Sequence, residues 1–356
     1  MRISHQIKKL AFAITAWIIA MSIFVFFRYA QTDALPHWAT STTDLKTLAF
    51  YVGIIFGCLH WISNLVVDFS VFSRLPYICS LFIKGLLLLI GALCIASLFE
   101  FMELWHIHNH MATLWKISTT HVINSHSFQL LLIYLIFIRF SLAFIEQTML
   151  LIGCKELINI GLGKYHKPRY EQRLFVYLDM TDSTAHAESL GDYRFSCLIQ
   201  DCFKLLADPV SQSRGEIYRY MGDAVFIHWP VKNGVMNQRC LKLYYDFNQI
   251  LSWHGTEFRQ RYGFVPQFKA AVHCGQVVTA VVGVQKQEIS FFSDVLNTLA
   301  RLQDQCSLLS QQLLVSAAVA MRFDSQQQDF DLKDLGQIKL KGKQHSMQVY
   351  GVNKIK

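Results

Sequence analysis

Four apolar runs, at about residues 10–27, 47–69, 77–98 and 128–151, constrain this chain more than any other feature in it. Each is close to the roughly 20 residues that a helix needs to cross about 30 Å of hydrocarbon. Lipid offers no partner to a backbone amide, so each run must satisfy its own hydrogen bonds as a helix. The first part is therefore predicted to be a four-helix transmembrane bundle, with the lipid bilayer as its partner. A secretory signal fits the first run poorly. The run is long for an h-region, no clean small-x-small site follows, and three more runs come after it.

Composition confirms the division. Residues 10–150 hold 12 of the chain's 58 Asp, Glu, Lys and Arg residues. The overall 16% charged and 53% hydrophobic residues thus average an almost uncharged part with an ordinary one. An ordinary soluble enzyme carries roughly 25% charge, and a disordered chain combines high charge with low hydrophobicity. Both are excluded. The predicted organisation is an anchor over 1–151, a linker over 152–173 and a soluble domain over 174–356.

Lys and Arg near the span ends set orientation. Arg2, Lys8 and Lys9 precede the first run, and Lys155, Lys164, Lys167, Arg169 and Arg173 follow the fourth. The first intervening loop offers Arg28 and Lys46, and the last only Lys116, with Glu100 and Glu103 nearby. Both termini are predicted to be cytoplasmic. Much of the net charge of +8 sits at span ends, where anionic lipid is the simplest partner. No nucleic-acid motif accompanies it. The nine cysteines include no C-x-x-C pair, which argues against a disulfide framework or zinc site and fits a reduced compartment.

Charges inside the runs are functional candidates. Lys84 and Glu146 are expected at one depth, and Arg139 shares a helical face with Glu146. Structural pairing or snorkelling is the alternative reading. The loop before the fourth run carries His106, His108, His110, His121 and His126. A sensor for an outer ligand such as a metal, a proton or haem and a plain solvated loop both stay open. After the fourth run a short helical stretch is broken by Gly161, Gly163 and Pro168. That suits a signal transmitter and a simple linker alike.

From residue 174 the pattern changes to short strands. LFVYLD (174–179) reads as a buried strand ending in a carboxylate. A helix is expected over about 185–207, with Thr184 as its N-cap. EIYRYMGDAVFIHWP (216–230) reads as a hairpin with an acidic tip. A helix is expected over 236–261, and a second hairpin over 268–283 turning near Gly275. An amphipathic helix is expected over 294–306, then a β-rich tail. The order βαββαβ is a ferredoxin-like α+β plan. Joined strands bring Asp179 and Asp223 together, a pairing that suits Mg²⁺ or Mn²⁺ holding phosphate oxygens. Between them, Thr181, Asp182, Ser183 and Thr184 lead into a helix N-terminus, whose N–H groups attract phosphate.

YLDMTDSTAHAESLG, EIYRYMGDAVFIHW, FKAAVHCGQVV and FSDVLNTLARLQ, in this order and spacing, resemble the class III nucleotidyl cyclases. The resemblance covers about residues 174–352, and GKYHKP before it resembles the linker of membrane-anchored bacterial members. It implies a bacterial inner-membrane enzyme that makes a 3′,5′-cyclic nucleotide and pyrophosphate from a nucleoside triphosphate. Asp179 and Asp223, joined by the Met180 carbonyl, match the ligands of two divalent metals. Asn297 and Arg301 match the residues that orient the ribose and stabilise charge on the phosphate. Lys341 or Lys343 falls where a family lysine reaches the terminal phosphates.

Two positions depart from the commonest pattern. Arg219 stands where the family has a base-reading Lys, and the two are not interchangeable. Ser290 stands where it has Asp or Thr. The pair typical of guanylate-making members is absent, so ATP is the favoured substrate, with GTP as the alternative. A relay that binds nucleotide without catalysis is the non-enzymatic alternative; a transporter would need a polar pathway that few charges leave room for. In the family the two residue sets meet across a pair of catalytic domains. This chain carries both sets on one domain, which implies a homodimer.

Overall fold

The structure is a computed structural model that describes residues 2–29, 42–68, 75–105, 126–324 and 329–355. The chain divides into two compact units, Met1–Leu157 and Ile158–Lys356.

The first unit contains helices α1 (Arg2–Tyr29), α2 (Thr42–Asp68), α3 (Tyr77–Trp105) and α4 (His126–Ile152). Within them lie four stretches of 20–25 residues long and apolar enough to cross a membrane. Helices α1 and α2 approach closely at Gly53 and Gly57. A Cβ at either position would lie 2.6 or 2.5 Å from the Cα of Ile18 or Ile14. Small residues four apart let helix backbones meet where lipid leaves no hydrophobic drive between them. Trp17, Phe56, Leu88, Leu135 and Leu142 fill the interior.

The expected grouping of membrane charges gains two partners that the linear pattern did not reveal. His60 and Asn64 on α2 meet Arg139 and Glu146 on α4. His60 Nε2 lies 3.0 Å from Glu146 Oε1, and Arg139 donates to Asn64 Oδ1 at 3.0 Å and approaches His60 Nδ1 at 2.8 Å. Lys84 lies within Coulombic reach of Glu146. Of the histidines between α3 and α4, His126 opens α4 and is exposed, and the other four lie outside the described residues.

Helix α5 (Cys154–Gly161) crosses the boundary between the units. The second unit is a mixed α+β domain. Its elements are β1 (Arg169–Met180), α6 (Ser183–Ser213), β2 (Glu216–Met221), β3 (Ala224–Pro230), α7 (Val231–Val235), α8 (Arg239–Trp253), α9 (Gly255–Tyr262), β4 (Phe268–Val282), β5 (Glu288–Phe292), α10 (Asp294–Leu308), β6 (Leu313–Ser316), α11 (Ala317–Ala320), β7 (Phe330–Ile338) and β8 (Met347–Lys354). The sheet runs β2-β3-β1-β4-β6-β8-β7, with β5 paired to β4. The antiparallel β2-β3-β1-β4 portion is the ferredoxin-like plan, and β6, β7 and β8 extend it.

The centre of the sheet is covered on both faces, so Arg173–Val176 are all buried. Leu174, Val176 and Leu178 pack with Leu198, Cys202 and Leu206 of α6 and Phe247 of α8. Alternate residues Phe175, Phe226 and Ala271 pack with Leu299 and Leu302 of α10. Each fully buried Leu or Phe contributes about 2 kcal/mol.

Several expected boundaries change. Residues 268–282 form one continuous strand rather than a hairpin, and Gly275 pairs with Arg173 in the middle of it. The glycine is there for space: a Cβ would stand 2.6 Å from Val295 Cγ2 on α10. The turn falls later, between β4 and β5, at Gly283 with φ 97°. Gly275→Ala is expected to lower the melting temperature, because overpacking costs about 1–3 kcal/mol and each kcal/mol shifts a domain of this size by about 2–4 °C. The single helix expected over 236–261 is broken at His254, whose φ and ψ (−87°, 10°) are not helical. Thr184 is not an N-cap. Helix α6 starts at Ser183 after Asp182, which takes a left-handed φ of 54° and makes no side-chain cap bond. The helix runs on to Ser213, with a kink at Gly191.

Candidate active site

The site begins where β1 ends. The register pairs Asp179 with Ala224, the residue after Asp223. The turn joining β2 to β3 places Gly222 at φ 64°, a conformation that glycine adopts without steric cost. The two carboxylates thus meet at one end of the sheet, as their sequence positions suggest. Burial, and then the charge of Asp223, push the Asp179 carboxyl up to about 6. Burial, and then the charges of the same pair, raise the Tyr177 phenol to about 12. Gln303 Nε2 on α10 donates to Asp179 Oδ2 at 2.8 Å and opposes the rise.

Two like charges on a partly buried edge are at odds unless a cation joins them. The donor set is all oxygen, which suits Mg²⁺ or Mn²⁺. Next to it, the Thr181 amide donates to Gln267 O at 2.9 Å, while Thr181 Oγ1 is buried without a hydrogen-bond partner. An orphaned hydroxyl beside paired carboxylates fits a site that holds a metal and a phosphate oxygen. Asp182, Ser183 and Thr184 then form the start of α6, where the first N–H groups have no intrahelical acceptor.

Helix α10 separates the predicted residues into two faces. Ser293 caps it, accepting from the Val295 amide at 3.1 Å and donating to Gln276 O at 2.8 Å. Val295, Thr298, Leu299, Leu302, Gln303 and Cys306 are buried. Asn297, Arg301 and Asp304 are exposed and recur at the i, i+4, i+7 spacing of a single stripe. Arg301 pairs loosely with Asp304 at 3.8 Å. The side chain that bonds Asp179 in this chain is therefore Gln303; Asn297 and Arg301 make no hydrogen bond to it among the described residues, and of their stripe only Asp304 is close enough for its charge to raise the Asp179 carboxyl.

Of the two candidate lysines, Lys343 forms an ion pair with Asp294 at the start of α10. That bond holds the Asp294 carboxyl below the usual range. Burial, then the nearby Lys343 charge, pushes His273 down to about 4. Lys341 is exposed. Ser290 is nearly buried on β5, opposite Ala280. Arg219 is ion-paired with Glu288 of the same strand.

Gln303 and Glu288 were not picked out by motif. Gln303 follows Leu299 by four and Leu302 by one, so it is a polar residue at a core position of an amphipathic helix, which is a readable signal. Glu288 has no such signal, because its partner lies 69 residues away.

Residues 166–354 match the family model of the adenylate and guanylate cyclase catalytic domain. The chain belongs to the class III adenylate and guanylate cyclases. A curated relative, adenylate cyclase 2 of Rhizobium meliloti (strain 1021), is 33% identical over 218 residues, which are 61% of this chain and 60% of that protein. The cyclase thus spans less than two thirds of that relative's length. Among solved structures, a bacterial light-regulated adenylyl cyclase shares the fold, with a TM-score of 0.52 and 17% identity over 64% of this chain and 66% of that one. The adenylyl cyclase CyaB from P. aeruginosa aligns with a TM-score of 0.46 and 15% identity, over 53% of this chain and 97% of its own.

Proposed function

We propose that this cyclase is a membrane-anchored adenylate cyclase, converting ATP to 3′,5′-cyclic AMP and pyrophosphate in signal transduction. It works as a homodimer in a bacterial inner membrane, with both termini and the catalytic unit in the cytoplasm. The observation that carries the reading is the division of α10. Gln303 meets Asp179 of its own chain, while Asn297 and Arg301 are exposed on one face of the helix and make no hydrogen bond to Asp179 among the described residues. A second copy related by two-fold symmetry can bring that face to the first chain's aspartates, completing two equivalent sites. The relative named as an adenylate cyclase supports ATP over GTP.

Asp179, Asp223 and the Met180 carbonyl would hold Mg²⁺ or Mn²⁺, two per site. When bound, these ions neutralise charge on the triphosphate and acidify the ribose 3′-hydroxyl. The chain's own groups do the rest. Asn297 orients the ribose so that the hydroxyl faces the α-phosphorus. Arg301 stabilises the charge that builds on the transferring phosphate. Lys341 or Lys343, two apart on one loop, draws the terminal phosphates; Lys341 is exposed and Lys343 is paired with Asp294. Thr181 offers its hydroxyl, and Asp182, Ser183 and Thr184 at the α6 N-terminus their N–H groups, to phosphate oxygens. Arg219 and Ser290 meet the base. The four apolar helices hold two chains together and bias their alignment, the route by which an outer signal would act.

The test uses the purified full-length chain in detergent with Mn²⁺ and either ATP or GTP. Cyclic AMP is expected, with ATP favoured and with specific activity rising with protein concentration as dimers form. Failure to make either cyclic nucleotide at high protein concentration would overturn the reading.

A further inference from the structure

We infer that Glu288 is the hydrogen-bond acceptor for the 6-amino group of adenine, acting with Arg219 as one donor–acceptor pair. The inference rests on the adenylate cyclase reading and refines the part of the site that meets the base.

Arg219 lies opposite Phe226 in the β2–β3 register. Phe226 stacks on Tyr177 with ring centres 4.3 Å apart, and Tyr177 is two residues before Asp179. Arg219 is thus on the sheet face that carries the metal-binding aspartate. Strand β5 folds back onto this region. The Phe291 ring meets Tyr218 at 4.9 Å and Phe175 at 5.3 Å. Those contacts bring Glu288, at the start of β5, to the Arg219 guanidinium, where Arg219 Nη2 donates to Glu288 Oε1. The guanidinium also lies 5.4 Å from the Tyr218 ring centre.

Both side chains stay half-exposed, at 43% and 41%. An exposed ion pair contributes only about 0–1 kcal/mol to stability, so stability is a poor account of an arrangement held by three aromatic rings. The pair uses one guanidinium nitrogen and one carboxylate oxygen. Arg219 Nη1 and Glu288 Oε2 have no hydrogen-bond partner among the described residues. They form a donor beside an acceptor, open to solvent. The edge of adenine is the complement, with an acceptor at N1 beside a donor at the 6-amino group. Ser290 cannot supply the discrimination, because a hydroxyl both donates and accepts. An ionised carboxylate only accepts, and its bonds are the stronger kind. Glu288 and Ser290 are two apart on one strand, so the acceptor sits one step along the same side.

The experiment compares ATP with purine riboside triphosphate, which lacks the 6-amino group, on the full-length chain with Mn²⁺. The wild type is expected to favour ATP in kcat/KM by about 10- to 100-fold, the range for a hydrogen bond to a charged group. Glu288→Ala should lower kcat/KM for ATP by that factor and leave the analogue within about 2-fold, so the preference collapses. Glu288→Gln, which keeps an acceptor oxygen, should retain part of the preference. An unchanged ATP-to-analogue ratio in Glu288→Ala would overturn the assignment while leaving the cyclase reading intact. So would a wild type that prefers GTP to ATP. A wild type that cyclises no nucleotide would overturn the cyclase reading itself, and the assignment with it.

Discussion

Asp179→Asn is expected to abolish cyclic nucleotide synthesis and, in the same protein, to raise the melting temperature measured without divalent metal. The two effects have one cause. Asp179 is partly buried beside Asp223, and its carboxyl is pushed up to about 6 against an ordinary value of 3.8. A carboxylate with a raised folded-state value favours the folded state most when it is protonated. That stability is fully present below about pH 4 and is lost as pH rises through about 6. At pH 7 the ionised group therefore costs the metal-free fold on the order of 2 kcal/mol. Asparagine removes the charge and keeps an oxygen to accept from Gln303. The expected gain is on the order of 5 °C at pH 7 in chelator, shrinking toward zero near pH 4. Saturating Mg²⁺ should stabilise the wild type more than the variant, because a ligand that binds only the native state adds its binding energy to stability. Activity should fall by about 10³-fold or more, the scale on which charge-stabilising groups act in phosphoryl transfer. A variant that melts no higher than wild type in chelator at pH 7 would show that Asp179 and Asp223 do not repel in the native site.

What the amino-acid sequence discloses about this chain depends on how local the cause is. The four apolar helices were readable because length alone decides them. Their inner packing was not. The approach of α1 to α2 depends on Gly53 and Gly57 meeting Ile18 and Ile14, and Glu146 finds His60, 86 positions away. The same holds in the catalytic unit. Asp179 and Asp223 stood out because one ends a strand and the other tips the neighbouring hairpin, and joined strands must bring them together. Gly275 misled, because a glycine in a β pattern signals either a turn or a close approach, and only the position of Val295 decides. Asn297 and Arg301 could be assigned to one helical face from spacing. That this face is not the one touching Asp179 needed the three-dimensional position of Gln303. The Arg219–Glu288 ion pair was half visible: Arg219 by its departure from the family's lysine, Glu288 only through the fold of β5.

The separation of the two faces of α10 makes a second result calculable. Asp179→Ala and Asn297→Ala, each expected to be inactive alone, should recover about a quarter of wild-type activity when mixed in equal amounts and allowed to exchange. Random pairing makes about half of the dimers heterodimers. In each heterodimer one site receives both substitutions, and the other takes its aspartates from the Asn297→Ala chain and its asparagine from the Asp179→Ala chain. That second site is intact. One working site out of two, in half of the dimers, gives the quarter. If each chain instead used its own aspartates with its own Asn297, every chain in the mixture would carry a damaged site and recovery would be nil. The control is Asp179→Ala mixed with Asp223→Ala. Both changes strike the same residue set, every shared site then lacks one aspartate, and no recovery is expected. Differently tagged chains co-purified from the mixture establish that heterodimers formed. Zero recovery with heterodimers present would refute a site shared between chains, and equal recovery in the control would show that activity returns for some other reason. The fraction recovered also reports on the anchor. If the four-helix units hold pairs too tightly to exchange, mixing after purification should fail while co-expression succeeds. The ratio of the two measures how strongly the four-helix unit, rather than the catalytic face, commits two chains to each other.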